Sequence, residues 1–241
     1  MGRYKGALKF IGCGSAFNVR YGNNNAYIKK GNSLLLIDCG SLTFNKIVEN
    51  KLLERVDNLF VLITHTHSDH IGSLGDLIAY CYYILKRKIH IIYPNIQHIK
   101  QYLNLVGMSD EVYSLINKQE IYNIKTEDFN IVIEPIKVEH VNNLMCYGYV
   151  LNYDNKTIYF SGDSSKISDY VLNKFYNNEI DCLYQDTCGY DFRGNPHLYI
   201  DKLCKYIKPS YRQKVYCMHF DEKFDFNKVL EYGFNLVENE Y

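Results

Sequence analysis

The sequence has no apolar run long enough to cross a membrane, because a spanning helix needs about 18 or more consecutive apolar residues. Its first ten residues, MGRYKGALKF, also lack the apolar segment of a signal peptide. We therefore expect a soluble, cytoplasmic protein that is not secreted and has no membrane partner.

The cysteines lack the spacing of a metal or redox motif. Eight are scattered along the chain, and no two form a C-x-x-C pair. This argues against a zinc ribbon or a thioredoxin-like site. Several, such as Cys81, Cys182 and Cys217, stand in apolar segments, where a free thiol behaves as a small hydrophobe. We expect a reduced chain without a disulfide framework.

The chain also lacks an excess of either charge, with 27 basic and 27 acidic residues and a formal net charge of zero. Proteins that bind long nucleic acids usually carry a basic excess, because phosphate neutralisation dominates their affinity. The charge balance therefore favours a small-molecule substrate over a long nucleic acid.

No internal repeat or linker interrupts the sequence, and the four prolines are dispersed. Its 241 residues fit one domain over residues 1–241, and two small domains are the upper limit. Short β-branched runs alternate with helical patterns and form two sets of strands, each with its own helices. This order predicts an α/β fold of four layers, an αββα sandwich. A doubly wound sheet fits less well, because hairpins dominate the ends.

Local patterns predict the helices and turns. Residues 73–86 read as a helix with Ser73 as its N-cap, and residues 95–116 as mainly helical. A further helix is predicted over residues 197–207. The segment YDNK, residues 153–156, predicts a hairpin turn between two strands.

The stretch NLFVLITHTHSDHIGSLGDL contains the strongest chemical signal, because three of the eight histidines follow one apolar run. The alternative is a histidine-rich polar turn. Residues two apart in an extended segment point the same way, so His65 and His67 can bind one ion together. Asp69 and His70 follow where the chain turns into a helix, and this spacing builds two adjacent metal sites.

The remaining ligands are expected at other strand ends. His140, Asp163 and His219 each follow a predicted strand. Taken singly, each is more often a structural residue. Together they predict one metal position with His65, His67 and His140, a second with Asp69, His70 and His219, and Asp163 between the two. Imidazole and carboxylate ligands suit Zn²⁺, and the same ligands accept Mn²⁺.

These motifs resemble those of the metallo-β-lactamase fold, in which HxHxDH follows a strand and His, Asp and His occupy later strand ends. The segments FIGCGSAFNVRYGNNNAYI and LLIDCG resemble the ribonuclease Z branch. A dinucleotide-binding loop of the pattern G-x-G-x-x-G is disfavoured, because Phe17 stands where this pattern has its third glycine. In ribonuclease Z-like enzymes an acidic residue, usually Glu, pairs near the metals with a histidine that opens the next helix. The matching residues are Asp186, in LYQDTCG, and His197, in GNPHLYIDKL.

Length and the segments GSAFN, GNNNAYI, HTHSDHIGSLGDL and MHF are similar to those of the anti-Pycsar family. The resemblance implies hydrolysis of 3′,5′-cyclic mononucleotides (cCMP, cUMP, cAMP and cGMP) in a bacterial or infected-host cytoplasm, where it counteracts anti-phage immune signalling. It also implies a homodimer in which a partner loop reaches over the active site.

The predicted reaction is metal-assisted hydrolysis of a phosphodiester. Asp69 is expected to orient the attacking water, and His197, held by Asp186, to donate a proton to the leaving group. One alternative is a ribonuclease Z-like endonuclease, which is disfavoured because the chain has no basic, glycine-rich arm. Another is a thioester or lactone hydrolase, which would not need the Asp186–His197 pair. Five tyrosines could stack on a base or line a dimer face, although core packing is expected for most: Tyr80, Tyr82, Tyr83, Tyr147 and Tyr190.

Overall fold

Two mixed β-sheets form the centre of the computed structural model, which describes residues 6–117 and 119–241. Part of the segment MGRYKGALKF, used above to argue against secretion, lies outside the described residues. The six-stranded sheet has the order β1 (Lys9–Gly12), β2 (Asn25–Lys30), β3 (Ser33–Ile37), β4 (Asn58–Leu62), β5 (His90–Ile92) and β6 (Ser114–Leu115).

In the seven-stranded sheet, too, strands that are consecutive in the chain are neighbours. Its strands are β7 (Tyr122–Lys125), β8 (Asn130–Val138), β9 (Cys146–Tyr153), β10 (Lys156–Phe160), β11 (Cys182–Asp186), β12 (Val215–Met218) and β13 (Asn235–Leu236). In each sheet an antiparallel part built from hairpins continues into a parallel part, β3 to β6 and β10 to β13. The carboxyl ends of the parallel strands therefore collect along one edge of each sheet.

The alternating side chains of β3 show how the layers stack. Leu35 and Ile37 pack in a core shared with the seven-stranded sheet, whereas Leu34 and Leu36 pack in a second core against helices. A strand buried on both faces needs apolar residues at successive positions, as the run LLLI provides. The helices that cover the six-stranded sheet are α1 (Thr43–Glu49), α2 (Ser68–Ile71), α3 (Leu74–Ala79) and α4 (Ile96–Leu105).

The helices of the second half supply the fourth layer. Val171, Phe175 and Leu203 pack with the seven-stranded sheet. They belong to α5 (Asp169–Tyr176) and α6 (Ile200–Tyr206), which are followed by a 3₁₀ segment (Pro209–Lys214) and α7 (Phe226–Glu231). The predicted four-layer α/β sandwich is confirmed. In the described part of the chain, no helix is long and apolar enough to span a bilayer.

The predicted hairpin turn joins β9 to β10. Asp154 and Asn155 both have positive φ, 50° and 59°, and Tyr153 pairs with Lys156 across the turn. Two consecutive residues of positive φ characterise the tight hairpin turn in which Asp and Asn are favoured. All eight cysteines are free in the structure.

Two predicted helices are shorter than expected. The helix over 73–86 consists of α3 followed by a π-helical turn, Tyr80–Ile84. Ser73 holds the N-cap position but makes no capping bond, since its hydroxyl donates to the Gly40 carbonyl (2.6 Å) and accepts from the Phe44 amide (3.1 Å). The serine therefore connects α3 to the β3–α1 loop instead of capping its own helix.

The mainly helical stretch predicted over 95–116 is wrong in its second part. Helix α4 ends at Leu105, and Gly107 follows with φ of 81°. Glycine adopts this left-handed conformation readily, which commonly ends a helix. Ser114 and Leu115 then form β6, paired in parallel with β5.

Candidate metal centre

All seven predicted ligands converge at the edge where the strands end. His65 and His67 follow β4, and Asp69 and His70 lie in α2 directly after them. The later ligands come from the other sheet: His140 after β8, Asp163 after β10 and His219 after β12. The two sheets are joined at this edge, because the Tyr147 amide donates to the Thr64 carbonyl (3.0 Å).

Four of the predicted ligands form a first cluster that could hold a metal ion, which we call the first position: His65, His67, His140 and Asp163. The His65 Nε2 atom lies 2.9 Å from His67 Nδ1, and His140 Nε2 lies 3.2 Å from that same nitrogen. Asp163 Oδ2 is 3.8 Å from His65 Nε2 and 3.7 Å from His140 Nε2. Three imidazole nitrogens and one carboxylate oxygen thus face a common point.

A second position lies beside it, made of Asp69, His70, His219 and Asp163. His70 Nε2 lies 3.2 Å from Asp163 Oδ1 and 3.3 Å from Asp69 Oδ2. His219 Nε2 is 3.4 Å from Asp163 Oδ2 and 3.6 Å from Asp69 Oδ2. Asp163 belongs to both positions, which is the arrangement expected of a residue between two ions.

Unpartnered buried atoms test whether these residues fit a metal. Within the described residues, His70 Nε2, His219 Nε2 and Asp163 Oδ1 are buried, and although charged groups lie close to them, none makes a hydrogen bond of acceptable geometry. A buried polar atom without a partner costs about 1–3 kcal/mol, so such atoms need an explanation. All three point into the second position, where a cation would satisfy them. The residues present therefore fit divalent cations with a preference for nitrogen and oxygen ligands.

Asp38 sets the orientation of His70. Its Oδ2 atom lies 2.8 Å from His70 Nδ1 and accepts the Thr64 hydroxyl at 2.7 Å, while Oδ1 accepts the Thr64 amide at 2.7 Å. A carboxylate can only accept, so His70 carries its proton on Nδ1 and leaves Nε2 free to bind a metal. Because the Thr64 hydroxyl donates to Asp38, it accepts from His65 Nδ1 (3.0 Å), which frees His65 Nε2 in the same way.

Sequence reasoning missed Asp38 as a site residue. It directly follows β3, in LLIDCG, so the strand-end criterion that selected His140, Asp163 and His219 would also have found it.

Two further contacts orient His140 and His219. The Pro196 carbonyl accepts from His140 Nδ1 at 3.1 Å, and Asp186 Oδ1 lies 3.3 Å from His219 Nδ1. In both residues Nε2 is left for the ligand position. Partners of this kind fix the tautomer of a metal-binding histidine and its ring orientation.

The five histidines among the predicted ligands form two groups, which differ in the direction of their pKa shift. Burial lowers the pKa of His65, His67 and His140, so these imidazoles are neutral and their lone pairs are available. Burial acts in the same direction on His70 and His219, but the surrounding carboxylates, Asp163 foremost, raise the pKa of both well above the usual range. A metal at the second position would replace the protons of these two histidines.

The predicted pair of Asp186 and His197 is also assembled. Asp186 Oδ2 lies 2.7 Å from His197 Nδ1 and accepts the Ser164 amide at 2.9 Å. Burial alone would lower the pKa of His197, but the Asp186 carboxylate raises it, which favours the protonated imidazole. His197 does not open a helix as predicted, because α6 begins at Ile200. It lies in the preceding loop, where its amide donates to Asn195 Oδ1 (3.1 Å).

A cavity of about 430 Å³ opens over the two clusters of predicted ligands and over His197. Its wall includes His67, Asp69, His197, Phe17, Tyr190 and Phe192. Of the five tyrosines considered from the sequence, only Tyr190 lines this cavity. Tyr80, Tyr82 and Tyr147 are half-buried against the core, as expected for most of them, and Tyr83 is exposed.

Comparison with known proteins agrees with this architecture. The sequence model of the family described as "Anti-Pycsar protein Apyc1" matches residues 7–240. The chain is 28% identical over 237 residues to the anti-Pycsar protein Apyc1 of Bacillus phage BSP38, covering 90% of each chain. It is 25% identical over 229 residues to the protein of the same name from Paenibacillus harenae, covering 90% of this chain and 91% of the relative.

Solved structures show the fold. The metallo-β-lactamase fold protein YhfI from Bacillus subtilis superposes with a TM-score of 0.76 at 18% identity, covering 97% of both chains. A diphosphatase of the PhnP family gives 0.71 at 15% identity, covering 96% of this chain and 94% of the other. The short form of human tRNase Z gives 0.68 at 18% identity, covering 97% of both. The metallo-β-lactamase fold predicted from the sequence is confirmed.

Proposed function

The chain belongs to the anti-Pycsar protein Apyc1 family, and from this premise we propose that it is a metal-dependent phosphodiesterase that hydrolyses 3′,5′-cyclic mononucleotides to nucleoside monophosphates. One observation supports this above the others: predicted metal ligands line the same cavity as His197, whose Nδ1 atom is held by the buried Asp186 carboxylate. We further propose that the enzyme acts in the cytoplasm against cyclic-nucleotide immune signalling.

Two divalent cations, most simply Zn²⁺ with Mn²⁺ as the other choice, would be held by the seven ligands. His65, His67 and His140 would hold the first and Asp69, His70 and His219 the second, with Asp163 shared. When bound, such cations provide Lewis acidity to a phosphoryl group and activate water for attack at neutral pH.

Asp69 is suited to orient the attacking water. Its carboxylate is mostly buried but reaches the cavity wall, and the charge of His70 helps to hold its pKa below the usual range despite burial. An ionised carboxylate can only accept, so it would accept a hydrogen bond from the water and aim the oxygen lone pair at phosphorus.

His197 is suited to protonate the leaving oxygen. As water adds to phosphorus and the bond from phosphorus to the ester oxygen breaks, that oxygen leaves as an alkoxide and needs a proton. His197 faces the cavity with its side chain 24% exposed, while the fully buried Asp186 accepts from its Nδ1 atom. The Nε2 proton would pass to the leaving oxygen, and the imidazole would later regain it from solvent.

The size and surroundings of the cavity favour a mononucleotide. A volume of about 430 Å³ lies in the range of small-molecule sites. Between Asp163 and His197 the described chain holds only α5, β11 and their loops, with no extension that could reach along an RNA. With a net charge of zero, these features favour cCMP, cUMP, cAMP and cGMP over transfer RNA.

One reaction panel tests the proposal. Purified protein loaded with Zn²⁺ or Mn²⁺ is incubated with each of the four cyclic nucleotides and, separately, with a tRNA precursor, and the products are resolved chromatographically. We expect nucleoside monophosphates from the cyclic nucleotides and an intact tRNA. Cleaved tRNA beside untouched cyclic nucleotides would instead identify a ribonuclease Z-like endonuclease, and hydrolysis of thioesters or lactones alone would identify the other alternative.

Two alanine variants control the panel. Asp163→Ala removes the shared ligand and should abolish turnover. His98→Ala removes an exposed histidine outside the site and should leave turnover unchanged. The homodimer implied by the family is proposed as well, and light scattering on the purified protein measures its mass directly.

A further inference from the structure

Three exposed aromatic side chains are grouped at the mouth of the cavity. Phe17 is 84% exposed, Phe192 49% and Tyr190 43%, and all three line the cavity over the metal positions. We call these three residues the aromatic rim. Single exposed apolar residues are common on protein surfaces, but a group of them around one concave site marks a place where a ligand binds.

The loops that carry the rim are fixed to each other. The Ser15 amide donates to the Phe220 carbonyl (2.9 Å), and Asn18 Nδ2 donates to the carbonyls of Phe220 (3.0 Å) and Asp221 (3.1 Å). Asp221 in turn accepts from the Gly189 amide. Phe17 is therefore presented to solvent by a loop whose base is tied to the segment after His219.

The ring contacts distinguish the members of the rim. Tyr190 and Phe192 stack with centroids 5.6 Å apart and planes at 23°, and the Lys223 ammonium lies 5.1 Å from the Tyr190 centroid. Tyr190 thus already contacts a ring and a cation, and it supports Phe192. Within the described residues, Phe17 has neither a ring–ring nor a cation–π contact. The aromatic surface available to a ligand belongs to Phe17 and Phe192.

We propose that Phe17 and Phe192 form the binding site for the base of the nucleotide, which they hold by stacking while its phosphate lies at the metal positions. This proposal rests on the proposed function, and it adds a substrate-positioning role for residues that are not among the predicted metal ligands. Stacking on aromatic rings accepts every base, because each base has a π face. The side-chain amides of Asn18 and Asn195 and the carboxylate of Asp221 already bond to the protein, so few polar groups remain on these loops to select one base.

Phe17→Ala tests the proposal through the separation of KM from kcat. The KM for cAMP should rise about tenfold, the scale of a lost base–aromatic stack, while kcat stays within about twofold because the lost contact acts on bound substrate and transition state alike. The KM for cCMP should rise less, since a pyrimidine offers a smaller ring surface. Phe17→Tyr should restore the KM for cAMP.

Two controls make the result specific. Val19→Ala alters the same loop at a side chain that is 72% exposed but does not line the cavity, and it should leave KM unchanged. Methyl riboside 3′,5′-cyclic phosphate has no base, so Phe17→Ala should not change its KM. An equal rise on this substrate, or no rise on cAMP, would overturn the base site while leaving phosphodiesterase activity intact.

Binding of AMP, measured by calorimetry with the metal-loaded protein, gives a readout without turnover. Phe17→Ala should weaken it about tenfold relative to the wild type. A wild type that turns over no cyclic nucleotide would fail the proposed function, whereas unchanged AMP binding by Phe17→Ala would fail the base site alone. If light scattering shows that Phe17→Ala splits a dimer into monomers, the rim is a subunit contact and the base site is refuted.

Discussion

Asp38→Asn should weaken metal binding at the second position although Asp38 is not itself a predicted ligand. Asp38 Oδ2 faces two groups, the Thr64 hydroxyl at 2.7 Å and His70 Nδ1 at 2.8 Å, while Oδ1 accepts the Thr64 amide. An asparagine that keeps its oxygen on the Thr64 amide turns its NH₂ toward His70. His70 Nδ1 must then accept, and its proton moves to Nε2, the atom that faces the metal.

The expected magnitude follows from losing the correct tautomer. Changes to partners of metal-binding histidines typically cost 10- to 100-fold in metal affinity, which corresponds to about 1.4 to 2.7 kcal/mol. The first position should be affected less, because His67 and His140 make no contact with Asp38, and His65 is linked to it only through Thr64.

Competition with a fluorescent zinc chelator measures both affinities, and elemental analysis after gel filtration gives the bound stoichiometry. We expect Asp38→Asn to retain one ion tightly and to lose the other at a chelator concentration at which the wild type keeps two. Thr64→Ser, which preserves the hydroxyl, is the matched control and should behave as the wild type. Two ions held by Asp38→Asn with unchanged affinity would refute the tautomer argument.

Three further predictions follow from the same structure. His197→Ala should lower kcat on a cyclic nucleotide about 10²- to 10⁴-fold. It should hardly change kcat on bis(p-nitrophenyl) phosphate, because the leaving group of that substrate needs no proton. An equal loss of kcat on both substrates would contradict the role of His197 as proton donor. Removal of the metal ions with a chelator should lower the unfolding temperature measured by calorimetry. The reason is that ions present at about 100 times their Kd stabilise the folded state by about 2.7 kcal/mol. An unchanged unfolding temperature would contradict metal binding at these positions. Leu35→Ala should reduce the free energy of unfolding in urea by about 2–5 kcal/mol, since Leu35 is fully buried between the sheets. Leu105→Ala, at a side chain that is 87% exposed, should change it by less than about 0.5 kcal/mol. Equal effects of the two substitutions would contradict the assignment of Leu35 to the core.

The sequence predicts the centre of this site well for a physical reason. Buried strands read as uninterrupted apolar runs, and a polar residue directly after such a run must lie at a sheet edge. This rule selected His65, His140, Asp163 and His219, and the structure brings them together. Their roles as ligands stay predictions, because proximity without an ion does not measure binding. The rule holds equally for Asp38, which directly follows β3.

Features set by tertiary contacts were harder to predict. Helix α3 ends in a π-helical turn, and α4 ends shortly before Gly107, which has a left-handed conformation. The periodicity of apolar residues in the sequence predicts neither feature. The position of Phe17 at the cavity was not predicted, because an exposed loop side chain belongs to no periodic pattern. Of the five tyrosines considered from the sequence, three are half-buried against the core, and Tyr190 alone among the five lines the cavity.

The carboxylate of Asp186 contacts two histidines at once. Asp186 is the last residue of β11, and its two oxygens face different histidines: Oδ1 lies 3.3 Å from His219 Nδ1 and Oδ2 lies 2.7 Å from His197 Nδ1. One short, buried carboxylate therefore orients both a predicted metal ligand and the predicted proton donor. Replacing Asp186 would disturb His219 together with His197, so it cannot separate metal binding from proton transfer. His197, whose Nδ1 atom contacts Asp186 alone among the described carboxylates, is the residue at which the two can be separated.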